Sequence, residues 1–191
     1  MGYSSPNRVV WMHFEWIKRA LQRAELAEKE EDRVMESVLC IILSITAIEV
    51  FVSIYFRVLA ENTKYIEMRE SLINDINSPY CSLEKLLKKW PKMLFGKGFY
   101  FSKGIGKEFS ELKSLRNKLV HFTSTHEEVK IHSMIIKGMA NTDIIYNISV
   151  SDAMRAVEIA EKFIEEIFNL SGIDPLKNNQ FLHAWIGKVS F

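Results

Sequence analysis

The stretch from Val34 to Asn62 constrains this chain more than any other. Between Val38 and Phe56, 15 of 19 residues are apolar. A helix apolar nearly all round has to be enclosed, either by other helices or by lipid. Ser44, Thr46, Glu49 and Ser53 interrupt the run, and the last three step by three and four, which gathers them into one polar stripe. A carboxylate at mid-span costs about 2.5–3.5 kcal/mol on membrane-insertion scales. The expectation is therefore the central helix of a bundle and no membrane, with a small membrane-associated protein anchored by Val38–Phe56 as the competing reading.

The rest of the chain supplies covering helices. Val10, Phe14, Ile17, Leu21 and Ala24 line one face of a first helix, and Glu28–Arg33 reads as a charged connection. Leu83, Leu86, Leu87, Trp90 and Leu94 form the apolar face of a shorter helix that Pro91 is expected to kink or end. Gly96, Gly98, Gly104 and Gly106 suggest a loop over 96–106, carrying Phe99, Tyr100 and Phe101 among lysines as candidates for base stacking. A further helix is expected over about 107–122. Val129–Ile136 and Ile144–Val150 are rich in β-branched residues and suggest a hairpin. Ser149-Val-Ser-Asp152 is a capping signature for a last strong helix that Gly172 stops. The tail 176–191, with Phe181, His183, Trp185 and Ile186, is apolar enough to dock. The expected fold is mainly α, an up-and-down bundle of four to five helices with a small β-hairpin or irregular insertion. One domain is expected over 1–191, with its core at about 8–172 and a docking tail at 173–191.

Composition narrows the class. The chain of 191 residues has 48% hydrophobic and 26% charged residues, which excludes a disordered or collagen-like protein. Cys40 and Cys81 show neither a disulfide framework nor zinc spacing, and reduced thiols in a cytoplasmic protein without a signal peptide are the simplest expectation. The formal net charge of +1 hides an asymmetry. Residues 1–84 hold 9 basic and 13 acidic side chains (−4), residues 85–118 hold 10 and 2 (+8), and residues 119–191 hold 6 and 9 (−3). A local +8 suggests an anionic partner, RNA phosphates foremost, against the alternative of a solvated lysine-rich surface.

The informative segment is Ser114-Leu-Arg-Asn-Lys-Leu-Val-His-Phe122. On a helix, Leu112, Leu115, Leu119 and Phe122 share the core face, flanked by Arg116 and Val120. Lys113, Asn117 and His121 lie further round. This second face has the character of a surface to be covered, most simply by a second copy of the protein. Its chemistry suits phosphodiester cleavage without a metal or other cofactor. An imidazole can take a proton from a ribose 2′-hydroxyl or give one to the leaving oxygen. A guanidinium can neutralise the phosphate as charge builds, and Asn117 can position a phosphate oxygen or the histidine. An exposed Arg and a helix-terminal His are the bland alternative. His126 and His132, with Glu127 and Glu128, match no standard metal-ligand spacing, and His13 reads as a boundary residue.

Arg116-Asn117-Lys118-Leu119-Val120-His121 resembles the Arg-polar-x3-His signature of HEPN domains, and the order of elements over about 8–172 is similar to theirs. The resemblance implies a helical bundle and a metal-independent endoribonuclease, active as a homodimer and leaving a 2′,3′-cyclic phosphate. It further implies a toxin or abortive-infection effector under a cognate antitoxin or other regulatory protein. Residue by residue, Arg116 would clamp the phosphate, His121 act as acid and base, and Asn117 position. Glu49, Thr46 and Ser53 on the second helix are candidates for site support, and Lys113, Lys118, Lys103 and Lys107 for RNA binding. Other members of that family have lost activity, so a catalytically inactive module that binds a protein or nucleotide partner is the alternative function.

Overall fold

The long apolar run forms one helix, α2 (Glu30–Ala60), 31 residues and so about 46 Å long. The computed structural model describes residues 4–121, 126–131, 134–140 and 142–187, and the side chains of all of these except 121, 126–131, 134–140, 175 and 176. Around α2 lie α1 (Pro6–Leu26), α3 (Arg69–Asn77), α4 (Leu83–Phe95), α5 (Gly104–His121), the one-turn α6 (Asp143–Tyr146), α7 (Val150–Ser171) and α8 (Pro175–Ile186). The fold is mainly α, a helical bundle, as the apolar periodicities require. Helix α2 packs chiefly on α1 and α7, and further contacts reach α3 and α5.

Three short hydroxyls of α2 are satisfied within the helix. Ser37, Ser44 and Thr46 donate to the carbonyls of Arg33, Cys40 and Ile42, at 2.8, 2.8 and 3.0 Å, the back-bond to residue i−4 available to short hydroxyls. Burial pushes the Cys40 thiol up to about 12, which leaves it an unreactive core group. By length and a mean hydropathy of 2.4, α2 alone among the described helices is long and apolar enough to cross a membrane. Half of its most apolar stretch is buried against the other helices.

One hydrophobic cluster runs from Val10 to Ile186. In α1 the buried stripe is Val10, Phe14, Ile17, Ala20 and Ala24, so Ala20 takes the inward position expected of Leu21. The small side chain lets α1 lie close to α2. Helix α8 docks through Leu182, Trp185 and Ile186. The Trp185 ring meets Phe51, Tyr55 and Phe168 edge-on at centroid distances of 5.5, 5.7 and 6.2 Å. Lys18 donates to the last carbonyls of this helix, Ile186 and Gly187, at 3.3 and 3.4 Å, a cation at a helix C-terminus.

Several elements differ from expectation. Pro91 lies inside α4 and does not end it; the helix runs on to Phe95 and Gly96 caps it at φ 70°. Residues 62–82 hold a 3-10 turn (Thr63–Met68) and α3, neither of which the apolar pattern announces. Gly104 and Gly106 belong to α5 and not to the preceding loop, which covers 96–103. A Cβ on Gly106 would stand 2.1 Å from the Tyr100 carbonyl oxygen, so only glycine lets the loop close over this turn. The expected hairpin of Val129–Ile136 with Ile144–Val150 is corrected. Strands β1 (His126–Ile131) and β2 (Met134–Ala140) pair antiparallel, and Val129 and Ile136, the two ends of the expected first strand, face each other. Two residues separate the strands, the commonest hairpin connection, and Ile144–Tyr146 are helical instead. Ser149 and Asp152 form the expected capping box, and Gly172 ends α7 at φ 78°.

Asp75 pins α3 to α4, accepting from Lys89 Nζ at 2.7 Å and Trp90 Nε1 at 2.9 Å. The Lys89 ammonium first, with Trp90 adding a hydrogen bond, holds this carboxyl below the usual aspartate range against the opposing effect of burial. A carboxylate depressed in the folded state contributes stability above its unfolded pKa of about 4 and loses it as pH falls through the folded value. Acidification below about pH 4 should therefore destabilise the wild type more steeply than Asp75→Asn, read as pH-dependent urea midpoints. Trp185→Ala should cost about 3–5 kcal/mol and lower Tm by roughly 6–20 °C, and Phe181→Ala, on the more exposed side of α8, clearly less; thermal melts compare the two.

Candidate functional site

Helix α5 is held inward by Phe109, Leu112 and Leu119, with Leu115 at the edge of the core. Phe109 meets Phe163 of α7 at 5.0 Å. This packing sets the rotation of α5 and turns position 116 toward α2. The Arg116 guanidinium lies with Nη2 3.4 Å from both carboxylate oxygens of Glu49, and its Nη1 donates to Asn117 Oδ1 at 3.1 Å. Of the supporting residues expected on α2, the fold thus brings Glu49 to Arg116. Thr46 is spent on its own helix, and Ser53 is half-buried one turn beyond Glu49. Neither Thr46 nor Ser53 is a partner of Arg116 among the described residues.

The geometry decides what this pair is worth. The side chains are 20% and 38% exposed, and 3.4 Å is longer than the 2.7–2.9 Å usual for a charge-assisted bond. Guanidinium carries five N–H donors. Among the described residues, Nε is buried without a partner and the two Nη groups meet only Glu49 and Asn117. Glu49 therefore orients Arg116 more than it neutralises it, and donors remain for an anion. His121 is the last residue of α5; its side chain lies outside the described residues, as do those of His126 and the whole of His132.

The lysines divide. Lys113 is bound to Glu84 in the first turn of α4, and Lys107 lies 3.8 Å from Glu111. Burial acts on Glu84 most strongly and raises its pKa, but the Lys113 ammonium and the backbone N–H at the start of α4 together outweigh it and hold the carboxyl below its ordinary range. Lys118 is exposed, and the Lys103 ammonium lies 4.8 Å from the Tyr100 ring centre. Of the loop aromatics, Phe99 is buried against Phe163 and Phe101, and only Tyr100, at 60%, is exposed.

An open cleft of about 430 Å³ runs along α5, lined by Glu84, Ser110, Lys113, Ser114, Asn117 and Lys118. Ser110 and Ser114 escaped the sequence reading although the spacing 110, 113, 114, 117, 121 puts them on the Asn117 face. Glu84 could come only from tertiary structure. Val120, beside this face, is 42% exposed. Among the described residues no three His, Cys, Asp or Glu side chains gather as a metal site.

No protein-family model matches this chain, and no curated protein or solved structure matches it. The geometry of the site is accordingly the basis for a functional reading.

Removal of Glu49 tests the orienting role. Glu49→Ala should cost about 1 kcal/mol, and not the 3–5 kcal/mol of a fully buried pair broken on one side, because both groups keep contact with water. Chemical denaturation of the two proteins measures it.

Proposed function

We propose that this protein is a metal-independent endoribonuclease of the HEPN type, acting as a homodimer in the cytoplasm. The supporting observation is the Arg116 guanidinium, aimed by Glu49 and Asn117 with donors uncommitted among the described residues, about 1.4 turns before His121 on the same helix. Arg116 stabilises the phosphate as negative charge grows on it. His121 takes the proton of the 2′-hydroxyl; the O2′–P bond forms, the P–O5′ bond breaks, and a protonated imidazole gives its proton to the departing 5′-oxygen. The products are a 2′,3′-cyclic phosphate and a 5′-hydroxyl.

One helix cannot easily supply both groups to one phosphate. Positions 116 and 121 stand about 140° apart round the axis and about 7.5 Å along it. A second copy placed against the exposed Val120 face brings a second motif helix to the first, so that base and acid come from different copies. As a toxin or defence effector, such an enzyme requires restraint by a cognate antitoxin, and that partner has the same face available to it.

The second reading is an inactive binding module of the same fold. It is favoured by one observation: the Glu49 carboxylate already stands within 3.4 Å of the group that would clamp phosphate.

The assay is cleavage of mixed cellular RNA in EDTA with end-group analysis of the products. Wild type should leave cyclic phosphate ends, and His121→Ala and Arg116→Ala should each lose about 100-fold or more in rate. Val120→Glu should dissociate the dimer in sedimentation and reduce cutting in parallel while the helical content stays unchanged. Cutting that survives both His121→Ala and Arg116→Ala excludes this site, and a folded dimer that never cuts points to the binding module.

A further inference from the structure

The +8 of residues 85–118 is not spread evenly in space. Three of its later members are matched by carboxylates, Lys107 by Glu111, Lys113 by Glu84 and Arg116 by Glu49, and Lys118 has no carboxylate partner among the described residues. Lys89, on the α3 side of α4, is matched by Asp75. Lys88, Lys92, Lys97 and Lys103 have no carboxylate partner among the described residues, and all four are exposed. Lys88 and Lys92 are four apart on one face of α4, a like-charge spacing that destabilises a helix unless something answers it.

Lys97 lies in the chain between Gly96 and Gly98, which together with Lys88, Lys92, the aromatic residues 99–101 and Ser102 line an open cleft of about 540 Å³. Its wall is glycine backbone and ring. Tyr100 is the large exposed ring in it, and Gly106, which tolerates no Cβ, holds the Tyr100 backbone against α5. On the far side of Tyr100 lies a second open cleft, where Lys103 and Lys162 stand with Glu165 and Glu166, and the Lys103 ammonium lies 4.8 Å from the Tyr100 ring centre. The cleft on the α4 side is thus the one of the two whose lining holds lysines and no carboxylate. Glu84, bound to Lys113 beside the motif, stands eight residues before Lys92, about 12 Å along α4, so the cleft leads away from the motif along that helix.

We propose that this cleft is a docking track for single-stranded nucleic acid, with Lys88, Lys92, Lys97 and Lys103 meeting phosphates and Tyr100 stacking on a base. It deepens the ribonuclease reading, on which its choice of RNA rests, by naming the form of the substrate and the path it takes. Unpaired lysines supply the sequence-independent attraction to phosphate. An exposed ring supplies a contact that a duplex, with its bases already stacked, cannot use. An anionic membrane would satisfy the lysines but leave Tyr100 and a cleft of this depth unexplained.

Fluorescence anisotropy with an oligouridine of about 20 nucleotides carrying 2′-O-methyl groups, which cannot attack phosphorus, measures binding apart from cleavage. The full-length wild type should bind the single strand at least about tenfold more tightly than a duplex of equal length. Lys88→Glu with Lys92→Glu should weaken binding at least about tenfold and flatten the slope of log affinity against log salt by about 1.4. Tyr100→Ala should weaken it about tenfold. Circular dichroism confirms that these exposed substitutions leave the fold intact. Equal affinity for the duplex, no binding by wild type at low salt, or indifference to either variant overturns the track. Capture by phosphatidylserine vesicles without oligonucleotide binding assigns the lysines to a membrane and overturns it too. Binding without cleavage in the earlier assay would remove the ribonuclease and leave the track; cleavage without this binding would remove the track alone.

Discussion

Everything in this molecule depends on enclosing α2. Thirty-one residues with an almost wholly apolar circumference demand neighbours on several sides, and α1, α7 and α5 supply them. Short hydroxyls can live on such a helix because they bond its own carbonyls. A carboxylate cannot, because an ionised Glu only accepts. Glu49 therefore needs a donor from another element, and α5 presents Arg116. The candidate site arises where the one charge in the apolar stretch Val38–Phe56 of α2 meets Arg116 of α5.

The same accounting organises the surface. A stretch with ten basic and two acidic residues would repel itself if all its charges stood free. The fold disposes of several by bringing in Glu84, Asp75 and Glu49 from elsewhere in the chain; among the described residues, Lys85, Lys88 and Lys92 on α4, Lys97 and Lys103 in the loop 96–103 and Lys118 on α5 are left without a carboxylate partner. Much of the positive surface consequently lies away from the motif helix, on which Lys113 is already occupied and Lys118 stays exposed. The sequence reading offered Lys113, Lys118, Lys103 and Lys107 for RNA binding; Lys113 is engaged by Glu84 and Lys107 lies 3.8 Å from Glu111, whereas Lys118 and Lys103 are exposed. Ion pairing is decided by neighbours in space, and Lys88, Lys92 and Lys97 are exposed without a carboxylate partner among the described residues.

Legibility in the sequence followed the range of the interactions concerned. The first, second and last strong helices, the capping box at Ser149 and the stop at Gly172 rest on residues within a few positions of one another, and the chain displays them directly. The misplaced hairpin rested on composition alone. Val129 and Ile136 look like one continuous strand until register makes them partners. The loop glycines misled for a related reason: Gly106 is required by the close approach of the Tyr100 carbonyl and not by a turn.

By itself, the sequence determined that the chain is a helical bundle around one apolar helix, that a polar stripe including Glu49 runs along that helix, and that Arg116, Asn117 and His121 share one end of another. Periodicity is a local property, and it is written in the order of the residues. Only the tertiary structure decided that Glu49 reaches Arg116, that Glu84 takes Lys113, and that Tyr100 stays outside while Phe99 turns in. Those outcomes depend on how α5 is rotated by Phe109, Leu112 and Leu119 against α7, a packing between residues some forty or more positions apart that no local pattern encodes.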